Sequence, residues 1–166
     1  SMWSYYVLMY LDKLYAIFDT QNDGMNDMRY KEGAGFTVTS SGAHTLKYSQ
    51  EGLKSPVLLN TMPLIRLPEM YYILAECTDD LEESAALIST VREARGIEDV
   101  SFANETEKMN NIEKEYRKEF YAEGQLWYFY KRLGYETFLY CPVDKMVEAN
   151  YRFAIPDDET ILGNIN

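Results

Sequence analysis

IEKEYRKEFYAEGQLWYFYKRLG, residues 112–134, decides how the rest of the chain is read. Apolar and aromatic side chains recur at Ile112, Tyr116, Phe120, Trp127, Tyr130 and Leu133. Steps of four and three residues form the stripe that a helix turns toward a core, so the spacing predicts one long helix up to Gly134. The stripe position left over is Glu123, followed by Gly124. A carboxylate on an apolar face, beside the weakest helix former after proline, breaks two local rules at once. An ionised carboxylate buried there without a partner is strongly destabilising. Glu123 is therefore expected to be paired, with Gly124 letting the partner approach closely.

Composition bounds the partners more than the chemistry. With 166 residues the chain is read as one domain over 1–166, long enough for a real core. Aromatics make up 14 % of it, which argues against disorder. A formal charge of −11 disfavours nucleic acid and anionic membrane surfaces as partners. The most apolar stretch, residues 3–18, is too short to span a bilayer and is interrupted by Asp12 and Lys13. No basic segment precedes an apolar run, so no signal peptide is expected in this sequence. Cys77 and Cys141 are read as two unpaired thiols that pack as small hydrophobes.

Along the chain, residues 3–18 read as a first helix, followed by the turn-forming DTQNDGMNDMR. A calcium loop starting at Asp19 would use Asp23 and Gly24, but Tyr30 stands where the bidentate carboxylate belongs, so the segment is read as a turn. Residues 36–39 and 45–48 are expected to pair as a hairpin, with a five-residue loop that holds His44, the single histidine. A lone imidazole there supports neither a metal site nor a catalytic base. From residue 64 a helix is expected with Leu67, Met70, Tyr71, Leu74 and Ala75 on its buried face and an Arg66–Glu69 pair. Asp79 is expected to cap a second helix, with Glu82 completing a capping box, that ends at Gly96 after Arg92 and Arg95. Two such helices joined by about two residues pack as antiparallel neighbours. Asn104 with Glu107 caps the next helix. A short helix is expected over 143–149, residues 151–156 are extended, and Asp157 caps a last turn with Glu159.

Three blocks in this order resemble the SusD/RagB family of outer-membrane glycan-binding lipoproteins. MPLIRLPEMYYILAEC (62–77) is similar to a family helix that carries I-R-L-x-E. LISTVREARGI (87–97) is similar to its V-R-x-R-A-G block. In the opening stretch Ile112, Glu115, Glu119, Phe120, Glu123, Gly124, Trp127 and Arg132 match E-F-x-x-E-G-x-R-W and its flanks, and FAIPDDE (153–159) resembles P-I-P-x-x-E. Tyr116, Leu126 and Phe129 depart from the family pattern, which has Arg, Arg and Asp there. The match covers roughly residues 60–160. Arg66, Glu69, Arg92, Glu119, Glu123, Gly124, Trp127 and Arg132 are thus structural motif positions. The blocks also make Arg66 and Arg92 the expected cations for Glu123, and Trp127 is assigned to the core.

The resemblance implies a mainly α fold of tetratricopeptide-like helix pairs, with a small β-hairpin and irregular loops. It implies a non-enzymatic protein without cofactor or metal, exposed on the outer-membrane surface. Its expected partners are an oligosaccharide and a TonB-dependent outer-membrane transporter. Membrane attachment would come only through a lipid anchor on a segment not carried in this sequence, together with much of the ligand site. Sugar recognition needs aromatic faces and a few polar groups. Trp3, Tyr5 and Tyr6 are the candidates for that stacking, although the same aromatics also serve as the core of a first helix. The alternative function is a helical protein–protein scaffold without sugar binding. An enzyme fits least: Glu119 and Glu123 lie one helical turn apart, whereas glycosidase carboxyls face each other across a cleft.

Overall fold

The computed structural model describes residues 8–47, 61 and 63–156. The elements in chain order are β1 (Leu8–Met9), α1 (Leu11–Phe18), a 3-10 turn (Asp23–Asn26), β2 (Phe36–Thr39) and β3 (Gly42–Thr45). They are followed by α2 (Leu67–Cys77), α3 (Leu81–Glu93), α4 (Glu105–Glu119), α5 (Gln125–Leu133) and a second 3-10 turn (Glu148–Tyr151). The fold is mainly α with a small antiparallel sheet, as the helical periodicity requires. The chain divides into two compact units, Ser1–Glu123 and Gly124–Asn166.

In the first unit a three-stranded sheet, ordered β1-β3-β2, lies against α1. Leu14, Ile17 and Phe18 of α1 bury their side chains against Phe36 and Ala43. The first helix is shorter than its hydrophobic pattern suggested, because Leu8 and Met9 are taken up by pairing with His44 and Ala43. Residues 1–7 lie outside the described residues, and so do Trp3, Tyr5 and Tyr6. The hairpin register also differs from expectation. Thr39 pairs with Gly42, so the turn is two residues, Ser40 and Ser41, and His44 sits within β3 opposite Thr37. The Thr39 hydroxyl holds the turn by donating to the Gly42 carbonyl at 3.0 Å.

The helical part of this unit is α2 and α3, with α4 packed on both. Only three residues join α2 to α3, so the two return on each other as expected. The cap is Asp80 rather than Asp79: its carboxylate accepts from the Glu82 and Glu83 amides at 2.9 and 3.2 Å. Buried Ser84 donates to the Ala75 carbonyl at 2.8 Å, which requires close approach of the two helices. Asn104 caps α4 through the Glu107 amide, at 3.0 Å. Tyr72 of α2 meets Tyr116 and Phe120 at centroid distances of 5.3 and 6.3 Å, so the buried face of α2 is Tyr72 with Ala75. The wider stripe foreseen for α2 faces solvent instead: Leu67 is 68 % and Leu74 57 % exposed.

The expected single helix over 112–134 is two helices. α4 stops at Glu119, Ala122 and Gly124 take φ of 62° and 77°, and α5 starts at Gln125. The left-handed region is open to glycine at little strain, so Gly124 is a site of the break. The apolar spacing continues across the break, which is why periodicity alone reads through it.

The second unit is built on α5. Phe129 and Tyr130 are buried, and Tyr130 stacks on Phe138 at 4.0 Å. The helix ends at Gly134, with φ of 66°. Tyr151 donates its hydroxyl to the Tyr135 carbonyl at 2.7 Å. The short helix expected over 143–149 is a 3-10 turn four residues long and lies later, at Glu148–Tyr151. Asp157 and Glu159 lie outside the described residues. Cys77 and Cys141 are free thiols. Among the described residues no helix is long and apolar enough to cross a membrane.

Candidate functional site: a buried ion network at the end of α4

One face of α4 carries Glu115 and Glu119, one turn apart and buried, with 1 and 3 % exposure. Apart from Lys118 on α4 itself, the cations that reach them come from other parts of the chain. Arg66 immediately precedes α2, Arg92 lies in the last turn of α3, and Arg95 follows that helix. Arg29 comes from the loop after the first 3-10 turn, and Lys47 from the segment after β3.

Glu119 is the hub. Its Oε1 accepts from Arg66 Nη1 at 2.7 Å and Arg95 Nη2 at 3.1 Å, while Oε2 accepts from Arg29 Nη1 at 3.1 Å and Arg95 Nε at 3.2 Å. Three guanidiniums thus share one carboxylate. Glu115 accepts from Arg29 Nη2 and Arg92 Nη1, each at 2.9 Å. Arg29 also takes both oxygens of fully buried Asp27, and Arg92 Nη2 reaches Asp23 at 2.5 Å. Gly24 makes this loop possible, since a Cβ there would lie 1.6 Å from the Phe18 carbonyl oxygen.

The end of α4 is secured by the same groups. The last carbonyls of a helix have no intrahelical donor. The Glu119 carbonyl instead accepts from Arg66 Nη2 at 3.0 Å and from the Lys47 ammonium. Glu123, one turn beyond, is paired as the stripe violation required: Arg66 Nη2 lies 2.8 and 3.1 Å from its two oxygens, and Lys47 closes on it as well. The Arg66 guanidinium also covers the Phe120 ring at 4.9 Å.

Burial alone would raise the Glu115 carboxyl, but Arg29, Lys118 and Arg92 overcome it and hold it at about 2. Glu119 follows the same logic: burial raises it, and the hydrogen bonds from Arg95 with the charges of Arg29 and Arg66 bring it below the ordinary range. Burial lowers Lys47, reinforced by neighbouring Arg66 and opposed by Glu123. Carboxylates held ionised this firmly accept hydrogen bonds and cannot serve as proton donors near neutrality.

Of the motif positions singled out in the sequence, Arg66, Arg92, Glu119 and Glu123 come together here. The Arg92 guanidinium bonds Glu115 and Asp23 and not Glu123. The Arg66–Glu69 pair is replaced, because Arg66 turns its guanidinium to α4 while Glu69 stays in the first turn of α2. Gly124, Trp127 and Arg132 belong to the second unit. There Trp127 is half-buried rather than core, against Phe153 at 5.1 Å and under the Lys131 ammonium at 4.7 Å, and Arg132 lies over Phe129. Asp27, Arg29, Lys47 and Lys118 escaped the sequence reading. Asp27 and Arg29 sit in a polar loop with no periodicity to mark them, and only the unexplained carboxylate row 115-119-123 hinted at further cations.

Compared with known families, the sequence matches the SusD family over residues 6–160. The chain belongs to the SusD family. The match reaches well before residue 60, where the motif resemblance began, and takes in the sheet and α1. No curated protein and no solved structure matches the chain significantly. The SusD family comprises glycan-binding surface lipoproteins of the outer membrane that work with TonB-dependent transporters. Four of the motif residues of this chain, Arg66, Arg92, Glu119 and Glu123, take part in the ion network, and Glu119 and Arg92 also bond Arg29 and Asp23, respectively.

Proposed function

We propose that this protein is a non-enzymatic oligosaccharide-binding component of an outer-membrane nutrient-uptake system, which captures a glycan at the cell surface for a TonB-dependent transporter. The observation that carries this reading is the SusD family match over residues 6–160. The ion network supports the non-enzymatic part. Glycoside hydrolysis needs a carboxylic acid kept protonated near neutral pH, whereas Glu115 and Glu119 are pulled the other way by guanidiniums. Trp3, Tyr5 and Tyr6 supply the stacking surface in this proposal, with surface attachment through a lipid anchor. A glycan array probed with the natural protein that carries this chain tests the reading: it should retain an oligosaccharide, and retention of none refutes it.

A second reading, a helical scaffold for another protein, is favoured by one observation. Leu64, Ile65, Leu67 and Leu74 are 86, 75, 68 and 57 % exposed along and just before α2, and exposed apolar patches mark protein-binding surfaces. The array separates the two, because a scaffold retains no sugar.

A further inference from the structure

The network lines part of a half-open cavity of about 200 Å³ whose charged groups are one-sided. Arg29, Lys47, Arg66, Arg95 and Lys118 line it, and Glu119 is the one carboxylate among its lining residues. Counted through the whole connected network of described residues, six cations (these five with Arg92) meet five carboxylates: Asp23, Asp27, Glu115, Glu119 and Glu123. The charged wall of the cavity is thus predominantly cationic, in a chain whose formal charge is −11.

Donors at the wall are left over. Tyr121 is among the lining residues, and its hydroxyl is buried with no hydrogen-bond partner among the described residues. Lys118, 4 % exposed, directs its ammonium to a single 3.4 Å contact with Glu115 among the described residues. Arg95 spends Nε and Nη2 on Glu119, which leaves Nη1 without a bond among the described residues. A buried hydroxyl is rarely left unmet, and a phenol beside an ammonium and a partly exposed guanidinium edge is best matched by an acceptor with negative charge. The space is smaller than the ~300 Å³ at which pockets for drug-sized ligands begin, so it suits a single group rather than a sugar chain.

We infer that this cavity is a binding site for one small oxyanion, held by Tyr121, Lys118 and Arg95. The anion is either a free inorganic ion or the acidic substituent of a larger molecule such as a uronic sugar. A carboxylate, sulfate or phosphate oxygen accepts from the Tyr121 hydroxyl while its charge faces the cationic wall.

Calorimetric titration of the full chain at constant ionic strength tests the site, with inorganic phosphate, glucuronate and neutral glucose as probes. Tyr121→Phe removes only a hydroxyl that has no partner, so folding should be unaffected, as circular dichroism checks. Saturable binding of one phosphate per chain, weakened about ten-fold (roughly 1.4 kcal/mol) in Tyr121→Phe and in Arg95→Gln, supports a site for a free oxyanion. Saturable glucuronate without phosphate, lost in the same variants, supports an acidic substituent as the occupant. Lys145→Gln, which alters an exposed pair with Glu136, should bind like the parent. Non-saturable heats for both anions, equal binding of glucose, unchanged affinity in Tyr121→Phe, or an equal loss in Lys145→Gln overturns the inference.

Discussion

Replacing Glu119 with glutamine removes one charge and almost no volume, at the point where three arginines converge. The amide keeps one oxygen for Arg66 and Arg95, but it turns an NH2 toward Arg29 Nη1 and Arg95 Nε, which are themselves donors. Two charge-assisted hydrogen bonds are lost, each worth about 1.5–3 kcal/mol. Breaking a buried pair by removing one partner costs about 3–5 kcal/mol. The two routes agree, so Glu119→Gln should destabilise the chain by about 3–5 kcal/mol. For a chain of this size each kcal/mol lowers the midpoint by about 2–4 °C, so a fall of roughly 6–20 °C is expected. Urea unfolding followed by far-UV circular dichroism measures it, provided the slope with denaturant is unchanged. Glu148→Gln, in an exposed pair with Arg152, serves as the contrast at about 0–1 kcal/mol. A loss below about 1 kcal/mol in Glu119→Gln would refute the claim that the network holds the fold together.

Acid should unfold the protein through the same groups. The folded Glu115 carboxyl sits at about 2 against an ordinary 4.5, so its contribution is complete above about pH 4.5 and is lost as pH falls toward 2. At roughly 1.4 kcal/mol per pH unit that is about 3 kcal/mol, and urea midpoints that stay flat from pH 5 to about 2.5 would contradict it. Gly124→Ala meets nothing within 4 Å but must hold φ at 77°, so only strain of about 1–2 kcal/mol is expected; a neutral substitution in the same urea assay would show that the break tolerates any residue. Trp3→Ala should weaken oligosaccharide binding about ten-fold or more while leaving the melting midpoint within a few degrees. The reverse pattern would return Trp3 to the core.

Glu123 shows what the sequence carried. A carboxylate on an apolar stripe demands a cation, and of the two that the motif blocks point to, Arg66 pairs with Glu123 while Arg92 goes to Glu115 and Asp23. The caps at Asn104 and at the start of α3 were legible to within one residue, since capping is local chemistry. The end of α4 was not. The apolar spacing in the sequence runs on unbroken past Glu119, whereas the chain leaves the helix there, with positive φ at Ala122 and Gly124 and the Glu119 carbonyl bonded by Arg66 and Lys47. The buried face of α2 was misread for a related reason. Its leucines fit a stripe, but Tyr72 is the larger surface and wins the contact with α4.

Under the proposed function the chain binds a glycan, and its acidic motif residues Glu115, Glu119 and Glu123 are scaffold rather than ligand site. The direct measurement is oligosaccharide affinity beside thermal stability, for the natural protein and for its Glu123→Gln variant. The variant loses one of two charges that hold Arg66 and Lys47, so stability should fall by about 1–3 kcal/mol. Affinity for the same oligosaccharide should stay within about two-fold, an energy change of under ~0.5 kcal/mol. An oligosaccharide bound by the parent and lost in the variant at full stability would contradict the account.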